Sequence, residues 1–198
     1  MADQFAVSPL AHLYEALSAA TVTGDRGVAL AELPFLTMVN VRVDPASEAA
    51  ARIEKALGAA LPRECGATSA AGPHTAVWQG PDEWLILSRA EPAALTGELK
   101  EALGTSSGSV VDLSANRTTL QLTGPSARDV LEKGCPLDLH PRAFGPGRAL
   151  STTVGPVPVL LWQVDDTTYR LFPRASFADY LGRWLIDAMA EYRAPAIP

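Results

Sequence analysis

Cysteine, histidine, basic runs and long apolar runs are what this 198-residue sequence has least of. Its two cysteines, Cys65 and Cys135, stand far apart. A chain of this length buries about 70% of its unfolded surface and does not depend on bridges, so both are expected to be free thiols of a reducing cytoplasm. His12, His74 and His140 are scattered, whereas zinc ligands come in closely spaced pairs, so no metal site is expected. Acids outnumber bases 22 to 16, for a formal charge of −6. With no basic cluster or aromatic-basic stripe, nucleic acid is excluded as an expected partner. No apolar stretch approaches the roughly 20 residues that cross a bilayer. The first residues, with Asp3, lack a charged-then-apolar leader. The expectation is a soluble, cytoplasmic protein with no membrane partner.

Catalytic signatures are equally sparse. No G-x-S-x-G elbow occurs, and Gly124-Pro125-Ser126 reads as a helix start. Gly145-Pro146-Gly147-Arg148 is glycine-rich but lacks the Lys-Ser/Thr ending of a P-loop and the G-x-G-x-x-G spacing of a dinucleotide fold. It reads as a turn between helix and strand. Lys133-Gly134-Cys135 is similar to a tripeptide of a folate-dependent repair family, yet here it ends a helix, which favours capping. Asp112 followed by Ser114 at the end of an apolar strand could orient a polar ligand or close a turn on itself, and the turn is the expected role. No catalytic, cofactor-binding or metal-binding residue is assigned.

What is present is a repeat. Residues 39–104 and 119–190 each read as strand, short helix, strand, tight turn, strand, longer helix, with a tryptophan in the middle strand. In the first copy Val39, Val41 and Val43 alternate with Asn40 and Arg42, the period of a strand with one buried face. Asp44 then caps a helix that starts at Pro45, places Ala50, Ile53 and Leu57 on one face and stops at Gly58. In the second, Leu120 and Leu122 alternate with polar residues, and Gly124-Pro125 opens a helix whose inner face is Ala127, Val130 and Leu131. Gly134 ends it.

Hairpins follow in both copies. Thr75–Gln79 with Trp78 turns at Gly80-Pro81-Asp82 into Trp84–Leu87, and Val159–Val164 with Trp162 turns at Asp165-Asp166 into Tyr169–Phe172. Each hairpin runs into an amphipathic helix, with Leu95, Leu99, Ala102 and Leu103 in one and Phe177, Leu181, Trp184, Leu185 and Ala188 in the other. The fold class is therefore α+β: two fused ferredoxin-like βαββα halves, antiparallel sheets with helices on one face. Each half lacks a last strand, which Ser109–Leu113 and Val28–Phe35 could supply. The expected organisation is an N-terminal helix or arm over 1–25, a duplicated body over 26–190 with halves of about 26–108 and 109–190, and a tail over 191–198. Ser8–Ala20 is amphipathic, with Leu10, Leu13, Tyr14 and Leu17 on one side, and docks either on its own domain or on a partner.

Particular strings carry a family resemblance. Val111-Asp112-Leu113-Ser114 to Thr123-Gly124-Pro125-Ser126-Ala127, then Gly147-Arg148, then the strands around Trp162 and Tyr169, resemble the folate-binding domain of the glycine-cleavage aminomethyltransferase family. Four longer strings resemble the gamma subunit family of heterotetrameric sarcosine oxidase along nearly the whole chain. They are Pro34-Phe35-Leu36 to Val39-Asn40-Val41-Arg42, Trp78 to Gly80-Pro81-Asp82-Glu83-Trp84-Leu85, Gly134-Cys135-Pro136-Leu137-Asp138-Leu139-His140-Pro141, and Arg174 to Ser176-Phe177-Ala178-Asp179-Tyr180-Leu181.

The resemblance implies a non-catalytic subunit beside alpha, beta and delta chains. It implies an assembly that oxidises sarcosine to glycine with hydrogen peroxide, and passes the one-carbon unit to tetrahydrofolate or releases formaldehyde. FAD, FMN, NAD and zinc would sit in the other subunits, with none bound by this chain. In the folate-dependent relatives an acid-rich hairpin after the glycine-arginine turn supplies a carboxylate. Here Leu139 to Val164 contains no Asp or Glu, so general-acid work there has no agent. The alternative is a stand-alone folate-binding protein or aminomethyltransferase-like enzyme using Asp112 and Arg148.

Overall fold

A computed structural model describes residues 6–194. A 3₁₀ turn at Ala11–Leu13 leads into α1 (Tyr14–Ala19), followed by β1 (Ala29–Glu32), β2 (Thr37–Val43), α2 (Glu48–Leu57) and β3 (Thr68–Ala71). Then come β4 (His74–Gly80), β5 (Glu83–Ser88), α3 (Pro92–Leu103), β6 (Gly108–Asp112), β7 (Leu120–Thr123) and α4 (Ala127–Glu132). The described residues end in β8 (Ala149–Val154), β9 (Val157–Gln163), β10 (Thr168–Pro173), α5 (Ala178–Met189) and a 3₁₀ turn at Ala190–Arg193. Two compact units form: Leu36–Asn116 with Gly147–Leu150, and the segments up to Phe35, Arg117–Pro146 and Ser151 onward.

The two five-stranded sheets have the orders β3-β4-β5-β2-β6 and β8-β9-β10-β7-β1. Position for position they are the same arrangement. In each, the first strand of a repeat (β2 or β7) lies between the last hairpin strand and a closing strand, antiparallel to both. This is the ferredoxin-like α+β architecture that the repeat predicted. The strands missing from the βαββα pattern are found in the two expected segments: β6 closes one sheet, and β1, which precedes its repeat in sequence, closes the other. Each sheet also carries an additional edge strand, β3 or β8. Their Thr68-Ser69-Ala70-Ala71 and Ser151-Thr152-Thr153 sequences offer no apolar alternation, so pairing rather than burial makes them strands.

In the unit that contains β2, one sheet face and two helices make a single core. Val39, Val41 and Val43 of β2 share that face with Trp84 and Ile86 of β5, Ala76 of β4 and Val110 of β6, and pack against Ile53 and Leu57 of α2 and Leu95, Leu99 and Leu103 of α3. Each such side chain contributes about 1.5–3 kcal/mol when fully buried. The opposite face is apolar as well: Met38, Val77, Leu85 and Leu87 are buried, which is why Trp84–Leu87 reads as a continuous run rather than an alternation. The start of α2 differs from the sequence expectation. Ser47 is the cap, its Oγ accepting from Ala50 N at 3.2 Å, while the Asp44 carboxylate accepts from Ala46 N at 2.9 Å and holds Pro45 in a turn ahead of the helix. Gly58 ends the helix in the left-handed region at φ 64°, as its position predicted.

In the other unit, Leu120, Leu122, Tyr169, Leu171, Val159 and Leu161 are buried on one sheet face, and α4 and α5 bury Ala127, Val130, Leu131, Leu181, Leu185 and Met189. Arg128 Nε donates to Tyr169 Oη at 3.2 Å and ties α4 to β10. Helix α1 docks on its own unit, beside β1 and α5, with Leu10, Leu13 and Leu17 buried. Tyr14 instead points to solvent at 63% exposure. The 3₁₀ turn before it has 3.0 residues per turn rather than 3.6, which shifts the phase of the apolar stripe. Phe177, expected on the inner face of α5, is 44% exposed, because it closes the 3₁₀ turn Ala175–Phe177 and precedes the helix proper.

Gly134 ends α4 for a steric reason rather than a conformational one. A Cβ there would meet the Trp184 ring at 2.6 Å and Gly155 N at 2.9 Å. Substituting Gly134→Ala is expected to destabilise the protein by about 1–3 kcal/mol through overpacking. Gly97→Ala, in mid-α3 with nothing within 4 Å of the added methyl, is expected to stabilise it by about 0.5–1 kcal/mol. Urea unfolding of both variants reads the two signs directly.

Candidate functional site

The polar residues singled out by the sequence fall in separate settings. Asp112 ends β6, and its Oδ1 accepts from Ser114 N at 2.8 Å and from Ser114 Oγ at 2.6 Å. Ser114 Oγ in turn accepts from Met38 N at 3.1 Å, and Leu113 N donates to Met38 O at 2.7 Å. The pair therefore closes a turn and pins it to the start of β2, as expected of a self-satisfied turn.

The segment Gly145–Arg148 is a turn leading into β8, as predicted. Its end is tied to the start of β3: Thr68 Oγ1 donates to Gly147 O at 2.8 Å, and Ala149 N donates to Gly66 O at 2.9 Å. The Arg148 guanidinium lies over Gly66, where a Cβ would come within 3.1 Å of it. Its Nε is buried without a hydrogen-bond partner. Gly66, with φ 76°, is the residue that makes this approach possible, and its only sequence signal is a glycine in an irregular stretch.

Lys133 is fully engaged in holding the end of α5. Its Nζ donates to Ala188 O, pairs with the Glu191 carboxylate at 2.9 Å and lies 4.8 Å from the centre of the Tyr192 ring. Arg26 approaches the same ring at 5.1 Å. The Lys133 hydrogen bond holds Glu191 below the usual carboxylate range. Burial, followed by the Glu191 contact, pushes the Tyr192 phenol up to about 12. A cation at the last carbonyls of a helix opposes the negative end of its dipole, so Lys133-Gly134-Cys135 serves as a structural helix end. Cys135 is buried with its sulfur 3.9 Å from Thr152 Oγ1, Cys65 is exposed, and both are free.

The histidines lie in three separate settings. His140 closes a turn, its Nδ1 accepting from Arg142 N at 3.3 Å. His74 lies on β4 with Nδ1 buried and unpartnered. His12 contacts Asp179 Oδ1 at 2.5 Å, and Arg183 Nε donates to the other oxygen at 3.0 Å. Among the described residues no three His, Cys, Asp or Glu side chains gather as a cation site.

Sequence reasoning missed Glu32, a carboxylate only 4% exposed on β1. It accepts hydrogen bonds from Ser8 Oγ and, at 2.5 Å, from Thr118 Oγ1, so the N-terminal segment and the approach to β7 are stapled to one strand. The available signal was the alternation Leu30-Ala31-Glu32, which puts an acid on the buried face.

Hydrogen bonds from Arg183, then His12, hold Asp179 below its usual range. A depressed carboxylate stabilises the fold above its unfolded pKa, and that contribution is lost as pH falls through the folded value. Wild type should therefore melt above Asp179→Asn at pH values higher than about 4, with the two melting curves converging in stronger acid. Thermal melts from pH 2 to 7 check this, and parallel curves at every pH would contradict it.

Comparison with known proteins gives these geometries a family. A model described as the sarcosine oxidase, gamma subunit family matches residues 41–191. Sarcosine oxidase subunit gamma of Corynebacterium sp. (strain U-96) is 47% identical over 191 residues, which covers 96% of this chain and 93% of the relative. The Arthrobacter sp. protein of the same name is 46% identical with the same coverage. A chain of the heterotetrameric sarcosine oxidase from Corynebacterium sp. U-96 in complex with pyrrole 2-carboxylate superposes with a TM-score of 0.94 at 44% identity, covering 98% of this chain and 100% of that one. The glycine cleavage system aminomethyltransferase T from Bartonella henselae superposes with a TM-score of 0.65 at 14% identity, covering 90% of this chain and 56% of that one. At that identity the likeness is one of fold alone. End-to-end matches at 46–47% identity carry more: the chain belongs to the sarcosine oxidase gamma subunit family.

Proposed function

We propose that the chain works as the non-catalytic gamma subunit of a heterotetrameric sarcosine oxidase, in company with alpha, beta and delta subunits. The assembly would oxidatively demethylate sarcosine to glycine with release of hydrogen peroxide, forming formaldehyde or 5,10-methylenetetrahydrofolate. FAD, FMN, NAD and zinc would be held by the other chains. The observation that carries this reading is the full-length match to a chain of a heterotetrameric sarcosine oxidase, with no large segment left over on either side. A cytoplasmic location fits the two free thiols.

The residues present do not fit a folate-transferring site. Asp112 Oδ1 carries both Ser114 hydrogen bonds. The β8–β9 hairpin and its approaches, Leu139 to Val164, contain no carboxylate with which to handle an amine. The stand-alone folate-binding reading is not favoured by the comparisons, since the aminomethyltransferase likeness supports only the fold.

Affinity purification of the tagged chain from its native cell should yield a yellow, multi-subunit eluate that releases peroxide when sarcosine is added. A colourless solitary protein would refute the proposal. In the assembled oxidase, the double variant Asp112→Ala/Arg148→Ala is expected to keep turnover within about twofold of wild type, against the ~10²–10⁴-fold loss that follows removal of a general acid or base. A loss of that larger size, in a complex that still assembles, would place chemistry on this chain.

A further inference from the structure

The approach to β7 sets two arginines against each other. Arg117 and Arg174 form an isolated antiparallel bridge beyond the β7–β10 ladder, so their side chains leave the same face side by side. Arg117 Nη1 donates to Phe172 O at 2.7 Å, which holds its guanidinium against β10. Like charges directly opposite each other across paired strands are destabilising, and no acid relieves them here. None of the ion pairs among the described residues includes either arginine. The acids nearest in sequence are spent elsewhere, Asp112 on Ser114 and Asp179 on His12 and Arg183.

The surroundings add positive potential rather than remove it. Arg174 is exposed, whereas Arg117 is half-buried. Burial, and after it the charge of Arg174, hold the Arg117 guanidinium below its ordinary range, and a cation taken partly out of water calls for a counter-charge. Arg174 also precedes the 3₁₀ turn that leads into α5, where neither helical start has a side-chain cap. A basic residue there faces the positive end of the helix dipole, the reverse of the favourable placement. Thr118 reaches Glu32 on one face of its strand, so alternation puts Thr119 on the face of Arg117. Thr119 Oγ1 is buried there without a hydrogen-bond partner. Unspent guanidinium N–H groups and a free hydroxyl thus share one face, and the described residues supply no anion to them.

We infer that Arg117 and Arg174 form a binding site for a small oxyanion, a carboxylate or phosphate group, which the two guanidinium forks take in charge-assisted hydrogen bonds. The anion enters from the exposed Arg174 and replaces repulsion between two cations by attraction to both. Arg117 is the inner donor, and Thr119 stands next to it on the same face. One chain supplies every group, so the site is independent of the subunit reading above.

Thermal melts of the full chain, titrated with inorganic phosphate against chloride at fixed ionic strength, test this through the dependence of melting temperature on ligand concentration. Phosphate should stabilise the wild type, and acetate should act in the same direction. Arg174→Gln should weaken phosphate affinity by about tenfold or more. In phosphate-free, low-salt buffer the same variant should melt at or above wild type, because one of two opposed charges is gone. Arg89→Gln removes an equal charge from an exposed position elsewhere and should leave phosphate affinity within about twofold of wild type. No stabilisation by either anion would overturn the inference. Equal affinity in wild type and Arg174→Gln, or equal losses in both variants, would do the same by showing an adventitious ion only. So would an Arg174→Gln chain that melts well below wild type without phosphate, since Arg174 would then serve the fold. Repeating the titration on the purified assembly identifies the source of the anion. Phosphate binding kept there assigns the site to a free small molecule, and binding present in the isolated chain but lost in the assembly assigns it to a carboxylate of a neighbouring subunit.

Discussion

Everything else in the molecule depends on the first strand of each repeat being flanked on both sides. β2 carries Val39, Val41 and Val43 into the core and cannot leave its outer backbone groups unpaired beneath α2 and α3, because a buried orphan amide costs as much as a lost hydrogen bond. β6 satisfies it on one side and β5 on the other. β7 meets the same requirement with β10 and with β1, a strand drawn from the residues ahead of the repeat. The chain's organisation follows from that demand: the N-terminal segment belongs to the second repeat, and Glu32, Ser8 and Thr118 hold it there.

A second constraint is how fully the polar residues are used. In an enzyme of this architecture one would look for a carboxylate and a cation with spare valence facing a cavity. Here Asp112 is bound into its own turn and Lys133 into the end of α5. Glu191, Tyr192 and Asp179 are among the groups whose pKa departs from ordinary, each through contacts that hold the fold. Such shifts mark ion pairs that shape a fold as readily as sites that do chemistry. Asp112, Lys133 and Asp179 each tie parts of the fold together.

The repeat was legible because it rests on local periodicity. Val39 to Val43 and Leu120 to Leu122 alternate as one-sided strands do, Gly58 stops a helix as a left-handed cap does, and the two tryptophan hairpins carry their own turn residues. Errors arose where a neighbour decided. Ser47 displaced Asp44 as the cap because Pro45 and Ala46 were held in a turn. Tyr14 rotated outward when a 3₁₀ turn changed the phase of the stripe, and Phe177 closes the 3₁₀ turn immediately before its helix. β3 and β8 have no pattern of their own, since an edge strand needs only a partner.

For the candidate site, sequence was enough to show that no G-x-S-x-G elbow occurs and that Leu139 to Val164 offers no carboxylate, because the residue string alone decides such points. It also determined the fold class, through a duplicated order of strands, turns and helices. Tertiary structure decided which groups are left over. That Gly134 admits Trp184 and that Glu32 is buried depend on residues distant in sequence. Pairing register and close approach are properties of two segments together, and neither segment carries them alone.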